Sequence, residues 1–229
     1  MMQTTRVGRS LLILVAGSLF AGANAAAQEE DFPKMRWEVW LAATYWSGLN
    51  DLLPSAGGTF DEVGFGLGGG AHWPVASGAR GDLLVGVEGG LLSHGSDIQG
   101  DFEDLISRDG YVAFSAKWMP GAPRGLSLDA GYAYHLIDMS QVEDDYFSYS
   151  YEEFESWEDS AGGPFVGISW DSWASRPGKS SGLSVGFEVH FVDFETVRDE
   201  DIYITPVLGP NAGTLDGPMY LFQLGYSSR

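Results

Sequence analysis

Apolar residues recur at every second position in eight segments of the chain, which is the period of a β-strand whose two faces differ. In the first segment, Trp37, Val39 and Leu41 alternate with Glu38 and Ala42. No comparable helical period lies between the segments. The eight predicted strands cover residues 37–45, 62–73, 83–91, 111–118, 126–136, 166–170, 183–191 and 220–226.

The alternation does not say whether the apolar face points inward or outward. A soluble barrel or sandwich would bury that face, whereas a membrane barrel would present it to lipid. The lengths of the predicted connections favour the membrane barrel, in which long external loops alternate with short periplasmic turns. The long connections are residues 47–60, 93–109, 138–162 and 193–217, and the short ones are 74–81, 119–124 and 174–181.

Charge follows the same division into two ends. Acidic residues collect in the second, third and fourth long connections, where Arg108 and Arg198 are the basic residues. The sequence therefore predicts one acidic and one mildly basic end. The other basic residues after position 27 are Arg80, Arg124, Arg176 and Lys179 in short turns, Lys117 beside one turn, and Lys34, Arg36 and Arg229 near the termini.

Aromatic residues give a third indication, because Trp and Tyr collect at membrane interfaces. Threading the strands up and down places one aromatic row on the apolar face near the short turns. We expect this row to form an interfacial girdle. Its members are Trp37, Trp73, Trp118, Trp170 and Tyr226, and a second row toward the other end contains Tyr45, Phe65, Tyr132, Tyr134, Phe191 and Tyr220.

The first residues are typical of a secretory signal peptide. Arg6 and Arg9 precede an apolar stretch at 11–20, which is too short to span a membrane as a helix, and small residues follow at 23–27. We predict a signal peptide at residues 1–27 and a barrel domain at residues 28–229.

Together these features resemble the small eight-stranded outer-membrane β-barrels of Gram-negative bacteria, the OmpA-transmembrane/OmpX-like superfamily. In that group the last strand carries an assembly signal of Gly followed by spaced aromatic residues, and Gly217, Tyr220 and Phe222 look similar. The chain ends on Arg229 and not on an aromatic residue. The resemblance implies an all-β, antiparallel, up-and-down transmembrane barrel in the cell outer membrane. It also implies contact with outer-membrane lipid, lipopolysaccharide and the barrel-assembly machinery.

Composition excludes several other classes of protein. A formal net charge of −20 argues against nucleic-acid binding, which depends on clustered Lys and Arg. The absence of cysteine excludes disulfide scaffolds, thiol catalysis and Cys-ligated zinc. Glycines 64, 66 and 69 match G-x-G-x-x-G, but no helix is predicted after them to bind a pyrophosphate. We expect Gly64, Gly66, Gly68 and Gly70 to line a narrow lumen instead.

Charged residues also fall on the predicted lumen side of the strands. An eight-stranded barrel is normally filled by its own side chains, so a hydrogen-bonded plug is favoured over a proton or ion path. His135 and His190 lack the spacing of a metal motif, and neither a metal nor a cofactor is predicted. The lumen-side set is Glu38, Glu62, Glu88, Lys117, Asp129, His135, Glu188 and His190.

One pair of residues raises an enzymatic alternative. Lipid A deacylases of the outer membrane use a His-x-Ser pair, and His94 and Ser96 have that spacing at the external end of the third predicted strand. Asp97 follows where that family typically has Asn, and no carboxylate partner is evident. No catalytic residue is therefore assigned.

The third long connection mixes acidic and aromatic residues. It could bind a cationic partner or divalent cations, which prefer carboxylate oxygens, or it could simply be a soluble extension of two strands. The candidate interaction residues are Asp144, Asp145, Tyr149, Tyr151, Glu152 and Glu153.

The sequence thus predicts an integral outer-membrane protein, porin-like in fold, with a structural or surface-interaction role through its acidic external loops and an unknown extracellular partner. The alternatives are a lipid A-modifying enzyme, a narrow channel for small solutes and a soluble periplasmic barrel that binds a ligand inside.

Overall fold

The chain folds into one antiparallel β-sheet that closes on itself. The computed structural model describes residues 35–46, 48, 59–60, 63–97, 103–144, 151–174, 176, 179–194, 215 and 217–228. The proposed signal peptide at 1–27 lies outside these residues. The strands are β1 Arg36–Trp46, β2 Val63–Gly78, β3 Gly81–Asp97, β4 Glu103–Pro120, β5 Leu126–Asp144, β6 Tyr151–Asp171, β7 Ser181–Phe191 and β8 Pro218–Ser228.

Each strand pairs antiparallel with its neighbours in the sequence, and β1 pairs with β8 from Trp37↔Ser228 to Trp46↔Met219. The predicted fold class, an eight-stranded antiparallel up-and-down barrel, is therefore confirmed. A further two-residue strand, Thr59–Phe60, pairs with the end of β3. Among the described residues, no helix is long and apolar enough to cross a membrane.

Two of the predicted long loops are wrong in extent. Most of residues 93–109 and 138–162 form strand, so that only 98–102 and 145–150 separate β3 from β4 and β5 from β6. The predicted turn 74–81 also shortens to residues 79–80, because β2 continues through a bulge between Pro74 and Ala76. The predicted strand ends are too early because the alternation of apolar residues marks only the part of a strand that has an apolar face. Backbone pairing continues beyond that part, through polar and acidic residues.

The wall of the barrel is apolar outside and largely polar inside. On β1, Leu41 is 68% exposed while Glu38 and Thr44 on the opposite face are buried. Phe65 on β2 and Phe114 on β4 are 73% and 71% exposed. The predicted division of each strand into two rows is confirmed wherever the structure describes its side chains.

Side chains fill the lumen toward both ends. Leu84, Met119 and Trp173 pack together at the end with the short turns. At the opposite end a larger apolar cluster reaches from the strands into the residues that flank them. Its members at that end include Trp46, Ile137, Met139, Val192, Phe194, Leu215, Met219 and Leu221.

Candidate functional site

The outer face near the short turns carries the predicted aromatic girdle. Trp73, Trp118 and Trp170 point outward and are 42%, 44% and 45% exposed. Trp37 lies against Tyr226 with ring centroids 6.0 Å apart, and Tyr226 donates a hydrogen bond to Ser181 Oγ at 2.6 Å. All five predicted residues thus lie on one face at one end of the wall, and their role at a membrane interface stays a prediction.

Inside the barrel, the half nearer the short turns holds a cluster of ion pairs. The Arg36 guanidinium donates to Glu38 Oε2 at 2.9 Å and to Asp171 Oδ1 at 3.1 Å. Lys117 Nζ donates to Glu38 Oε1 at 2.7 Å and lies 3.5 Å from Asp129 Oδ1. All five side chains are buried. Each cation thus contacts two carboxylates, which is the arrangement that compensates buried charge.

A tryptophan of the connection between β6 and β7 covers the ion-pair cluster on the side of the short turns. Trp173 Nε1 donates to Ser227 Oγ at 2.7 Å, and Ser227 Oγ donates to Asp171 Oδ1 at 2.7 Å. This places the indole across the lumen, against Leu84 and Met119. Trp173 was not predicted as a lumen residue, because it lies two positions after the last residue of β6 and belongs to no predicted alternating row.

Farther along the lumen, two histidines form a chain of hydrogen bonds. His135 Nδ1 lies 2.8 Å from Asp109 Oδ2, so the carboxylate accepts from this nitrogen. His135 Nε2 is then left to accept from His190 Nδ1, 3.1 Å away. His190 Nε2 lies 3.4 Å from Glu188 Oε2. Both rings are fully buried, and each ring nitrogen lies within 3.4 Å of a polar atom of the other histidine or of an acid.

Aromatic rings surround this histidine pair. Tyr111 stacks on His135 with centroids 5.2 Å apart, and Phe165 stacks on His190 at 4.9 Å. Trp40 continues the stack to Tyr111 at 6.4 Å. The indole of Trp40 occupies the space left by Gly68 and Gly90, because a Cβ at either glycine would collide with the ring. The predicted role of the β2 glycines as lumen-lining residues is confirmed.

Most of the predicted lumen charges lie where the alternation places them, and Glu62 lies outside the described residues. The predictions for Arg36 and Asp109 need correction. Arg36 was counted with the basic end and Asp109 with an acidic loop, but both are buried in the lumen, as is Lys117, which was predicted there. Continuing the period of β1 and β4 by one more step would have placed Arg36 and Asp109 inside.

Among the described residues, Glu38, His72 and Glu88 form the one group with the composition and spacing of a metal site. One ligand atom from each lies within 4.8 Å of the others, and all three side chains are buried. These three side chains could hold a metal ion.

The histidine of the enzymatic alternative lies inside the barrel. His94 is 1% exposed, its Nε2 is hydrogen-bonded to Thr44 Oγ1 at 2.8 Å, and its ring packs edge-on against Trp46. Ser96 belongs to β3, and its side chain is not described. A lipid molecule outside the wall does not reach a histidine in this position.

Four of the six predicted interaction residues lie at the end of β5 and the start of β6, away from the short turns. Asp144 pairs with Tyr151 as the last rung of this ladder, and Glu152 and Glu153 follow in β6. Asp145 and Tyr149 fall outside the described residues. In the same ladders Glu143 is opposite both Glu152 and Glu103, so three glutamates stand side by side on three strands. The acidic segment is therefore a paired extension of the wall.

No protein-family profile and no curated protein sequence matches the chain. Several solved structures are similar to it in fold. Neisserial surface protein A matches with 11% identity over 85% of this chain and 96% of that chain, with a TM-score of 0.44. The attachment invasion locus protein Ail of Yersinia pestis, in complex with the heparin analogue sucrose octasulfate, matches with 11% identity over 85% and 96%, with a TM-score of 0.48. The outer membrane protein OprG from Pseudomonas aeruginosa matches with 12% identity over 86% and 97%, with a TM-score of 0.45.

Likenesses of this size say nothing about function. The assignment of an eight-stranded barrel rests on the strand register of the chain itself, which agrees with the fold that the resemblance to small outer-membrane barrels implied.

Proposed function

We propose that this chain is an integral protein of the Gram-negative outer membrane, in which a filled barrel anchors acidic strand extensions at the cell surface. The observation that carries the proposal is the inverted wall, with large apolar side chains outside and charged groups within. A soluble barrel of this size would expose a costly apolar surface to water, whereas lipid solvates it. Outer-membrane lipid and lipopolysaccharide are then its surroundings.

In this proposal the short turns face the periplasm and the acidic extensions face outward. The girdle residues Trp37, Trp73, Trp118, Trp170 and Tyr226 would then lie at the periplasmic interface, where a half-wet ring is favourable. Export by a cleaved signal peptide and insertion by the barrel-assembly machinery belong to the same proposal.

Fractionation of cells that express the chain tests the location. We expect the protein in the outer-membrane fraction after washing with high salt, and faster gel migration before boiling than after it. Recovery in the soluble periplasm, with migration unchanged by boiling, would contradict membrane integration.

A pair of substitutions tests whether the outer face contacts lipid. In refolded protein in lipid vesicles, Leu41→Arg at the middle of β1 should destabilise the barrel by about 2–4 kcal/mol. Val75→Arg, near the short-turn end of β2, serves as the matched control and should cost about 0–1 kcal/mol. Equal and small effects of the two substitutions in urea titrations would argue against lipid contact at Leu41.

The surface role rests on the side-by-side glutamates of the acidic extension. Like charges at directly opposite register positions destabilise a ladder, and Glu103, Glu143 and Glu152 occupy such positions, so a cationic partner there would be favourable. We propose that the segment containing Asp144, Asp145, Tyr149, Tyr151, Glu152 and Glu153 binds a cationic partner.

Calorimetry with a decalysine peptide as the probe tests this binding. The refolded chain should bind the peptide, and the double variant Glu143→Gln/Glu152→Gln should bind it several-fold more weakly. Asp82→Asn at the opposite end of the barrel is the control and should leave the affinity unchanged. Equal affinity of all three proteins would remove the acidic extension as the binding site.

The two alternative functions have less support. Side chains fill the lumen toward both ends, so we do not expect a channel for small solutes. A planar bilayer that contains the protein should show no conductance above that of the protein-free membrane. Because His94 faces the lumen, we expect the mass spectrum of lipid A to be the same with and without expression of the chain. Conductance above the protein-free membrane, or a lipid A shift that His94→Ala abolishes, would reverse these expectations.

A further inference from the structure

We propose that the lumen binds one divalent transition-metal ion between Glu38, His72 and Glu88. The three residues come from β1, β2 and β3, which are adjacent in the wall. Gly70 of β2 is paired with both Glu38 and Glu88, and His72 follows two positions later on the same face. The register therefore brings three potential ligands to one place without any loop.

The glycines around this group let its side chains approach one another. A Cβ on Gly70 would lie 3.0 Å from Glu88 Cβ and 3.3 Å from His72 Cε1, so both side chains come close to β2 because Gly70 has none. A Cβ on Gly86 would collide with Cδ2 of the His72 ring, at 2.5 Å. The imidazole thus packs against the backbone of β3 at Gly86, where no side chain blocks it.

Two buried polar atoms of the group have no hydrogen-bond partner among the described residues: His72 Nδ1 and Glu88 Oε1. Buried polar groups are almost always satisfied, so two unpaired atoms in one cluster support a ligand that binds to both of them. The other nitrogen, His72 Nε2, lies 2.8 Å from Ser115 Oγ. If the serine accepts from Nε2, then Nδ1 presents a lone pair, as in metal sites whose histidine is oriented by an outer hydrogen bond.

The charge balance of the lumen also favours a cation. The buried carboxylates of the described residues outnumber the buried Lys and Arg side chains by six to two. A divalent ion would reduce this excess of negative groups from four to two. The six acids are Glu38, Glu88, Asp109, Asp129, Asp171 and Glu188, and the two bases are Arg36 and Lys117.

Glu38 can share its charge with an ion without leaving a base unpaired. Arg36 also contacts Asp171 at 2.9 Å, and Lys117 also lies 3.5 Å from Asp129. Each base therefore keeps a second carboxylate when Glu38 becomes a ligand.

The ligand set selects the kind of metal. One imidazole with two carboxylates suits a transition metal better than Ca²⁺ or Mg²⁺, which prefer oxygen ligands alone. Zn²⁺ accepts this mixture of ligands and has no geometric preference from its d-electrons. We therefore use Zn²⁺ as the probe.

The experiment measures zinc in the folded barrel. Since side chains fill the lumen toward both ends, Zn²⁺ is added while the full chain refolds from urea into detergent. Loosely bound ion is then removed by EDTA and gel filtration. Mass spectrometry of the metal content should find about one zinc per chain, and His72→Phe and Glu88→Gln should each reduce it at least tenfold.

Matched controls come from the other lumen histidine and acid. His190→Phe and Glu188→Gln remove the same chemical groups elsewhere in the lumen and should leave one zinc per chain. Zinc at the level of the protein-free detergent blank, or zinc retained by both the His72 and the Glu88 variants, would overturn the proposal.

A second measurement avoids dependence on the folding of the variants. X-ray absorption of the zinc-loaded wild-type chain should show one imidazole and otherwise oxygen ligands. An all-oxygen shell would instead indicate zinc on the exposed acids, and two or more imidazoles would indicate the His135 and His190 pair. Either result would overturn the proposed site.

Discussion

The two halves of the lumen fill the same narrow space by different means. Near the short turns, Arg36 and Lys117 cross-link carboxylates from several strands at 2.7–3.5 Å. Toward the other end, rings such as Trp40 and Tyr111 stack over glycines, and an apolar cluster follows. Ion pairs stabilise one half, and close packing of rings against glycines stabilises the other.

The difference shows that an inward-facing row need not be uniformly polar. A buried charge is tolerated where several partners surround it, whereas an aromatic ring is tolerated wherever a neighbouring strand has no side chain in its path. The two halves should therefore respond differently to substitution. In the half with the ion pairs, removal of one charged partner should cause the largest loss of stability. In the half with the stacked rings, an added side-chain atom should cause it.

The largest effect is expected from Arg36→Met. The substitution removes the base that contacts both Glu38 and Asp171, so it should destabilise the barrel by about 3–5 kcal/mol. Urea unfolding, followed by the gel shift between folded and boiled protein, measures the change. Arg80→Met in the exposed turn is the control and should stay within about 0.5 kcal/mol of wild type. An equally small effect at position 36 would mean that charge does not hold this half.

A smaller loss is expected at the border between the two halves, from His135→Phe. The ring can still stack on Tyr111, but Asp109 and His190 each lose a hydrogen bond. We expect a loss of about 3 kcal/mol because the acceptor left unpaired is a buried carboxylate. Tyr134→Phe on the outer face of the same strand should be nearly neutral. If both variants unfold alike in urea, stacking and not hydrogen bonding stabilises this region.

Added volume in the ring half should cost about 1–3 kcal/mol. In Gly90→Ala the new Cβ would lie 2.6 Å from the Trp40 ring, whereas in Gly78→Ala it meets nothing within 4 Å. The first substitution should destabilise and the second should not. Introducing Trp40→Leu should at least halve the cost of Gly90→Ala. A cost that is independent of Trp40 would assign the effect to the backbone.

The smallest effect is expected for an ion pair outside the lumen. Arg108 Nη1 lies 4.0 Å from Asp138 Oδ2, and its side chain is 49% exposed. Arg108→Ala should change the free energy of unfolding by about 0–1 kcal/mol, because solvent screens the pair. A loss as large as that of Arg36→Met would remove the distinction between buried and exposed pairs.

The sequence predicted the strands and the apolar and polar face of each strand, because the alternation is local. Leu41 and Glu38, for example, belong to opposite faces of one strand, and their spacing within that strand is enough to show it. It did not predict which lumen residues meet. Arg36 and Asp171 lie on distant strands, and only the strand register of the closed barrel brings them together. Trp173 enters the lumen from a turn. The extent of β5 and β6 was also missed, since residues such as Glu143 and Glu152 continue the pairing without an apolar row.

The contact between Arg36 and Asp171 also constrains the order of folding. The two residues are 135 positions apart, and the hydroxyl of Ser227 that completes their cluster belongs to the last strand. Before β8 meets β1, the ends of the sheet are open and these charges have no enclosed site. We therefore expect closure of the barrel and desolvation of these charges to occur together and late in folding, and to be slow because the contacts are distant in sequence. A chain that stops before Pro218 would lack that event, and it would keep an open strand edge at β1.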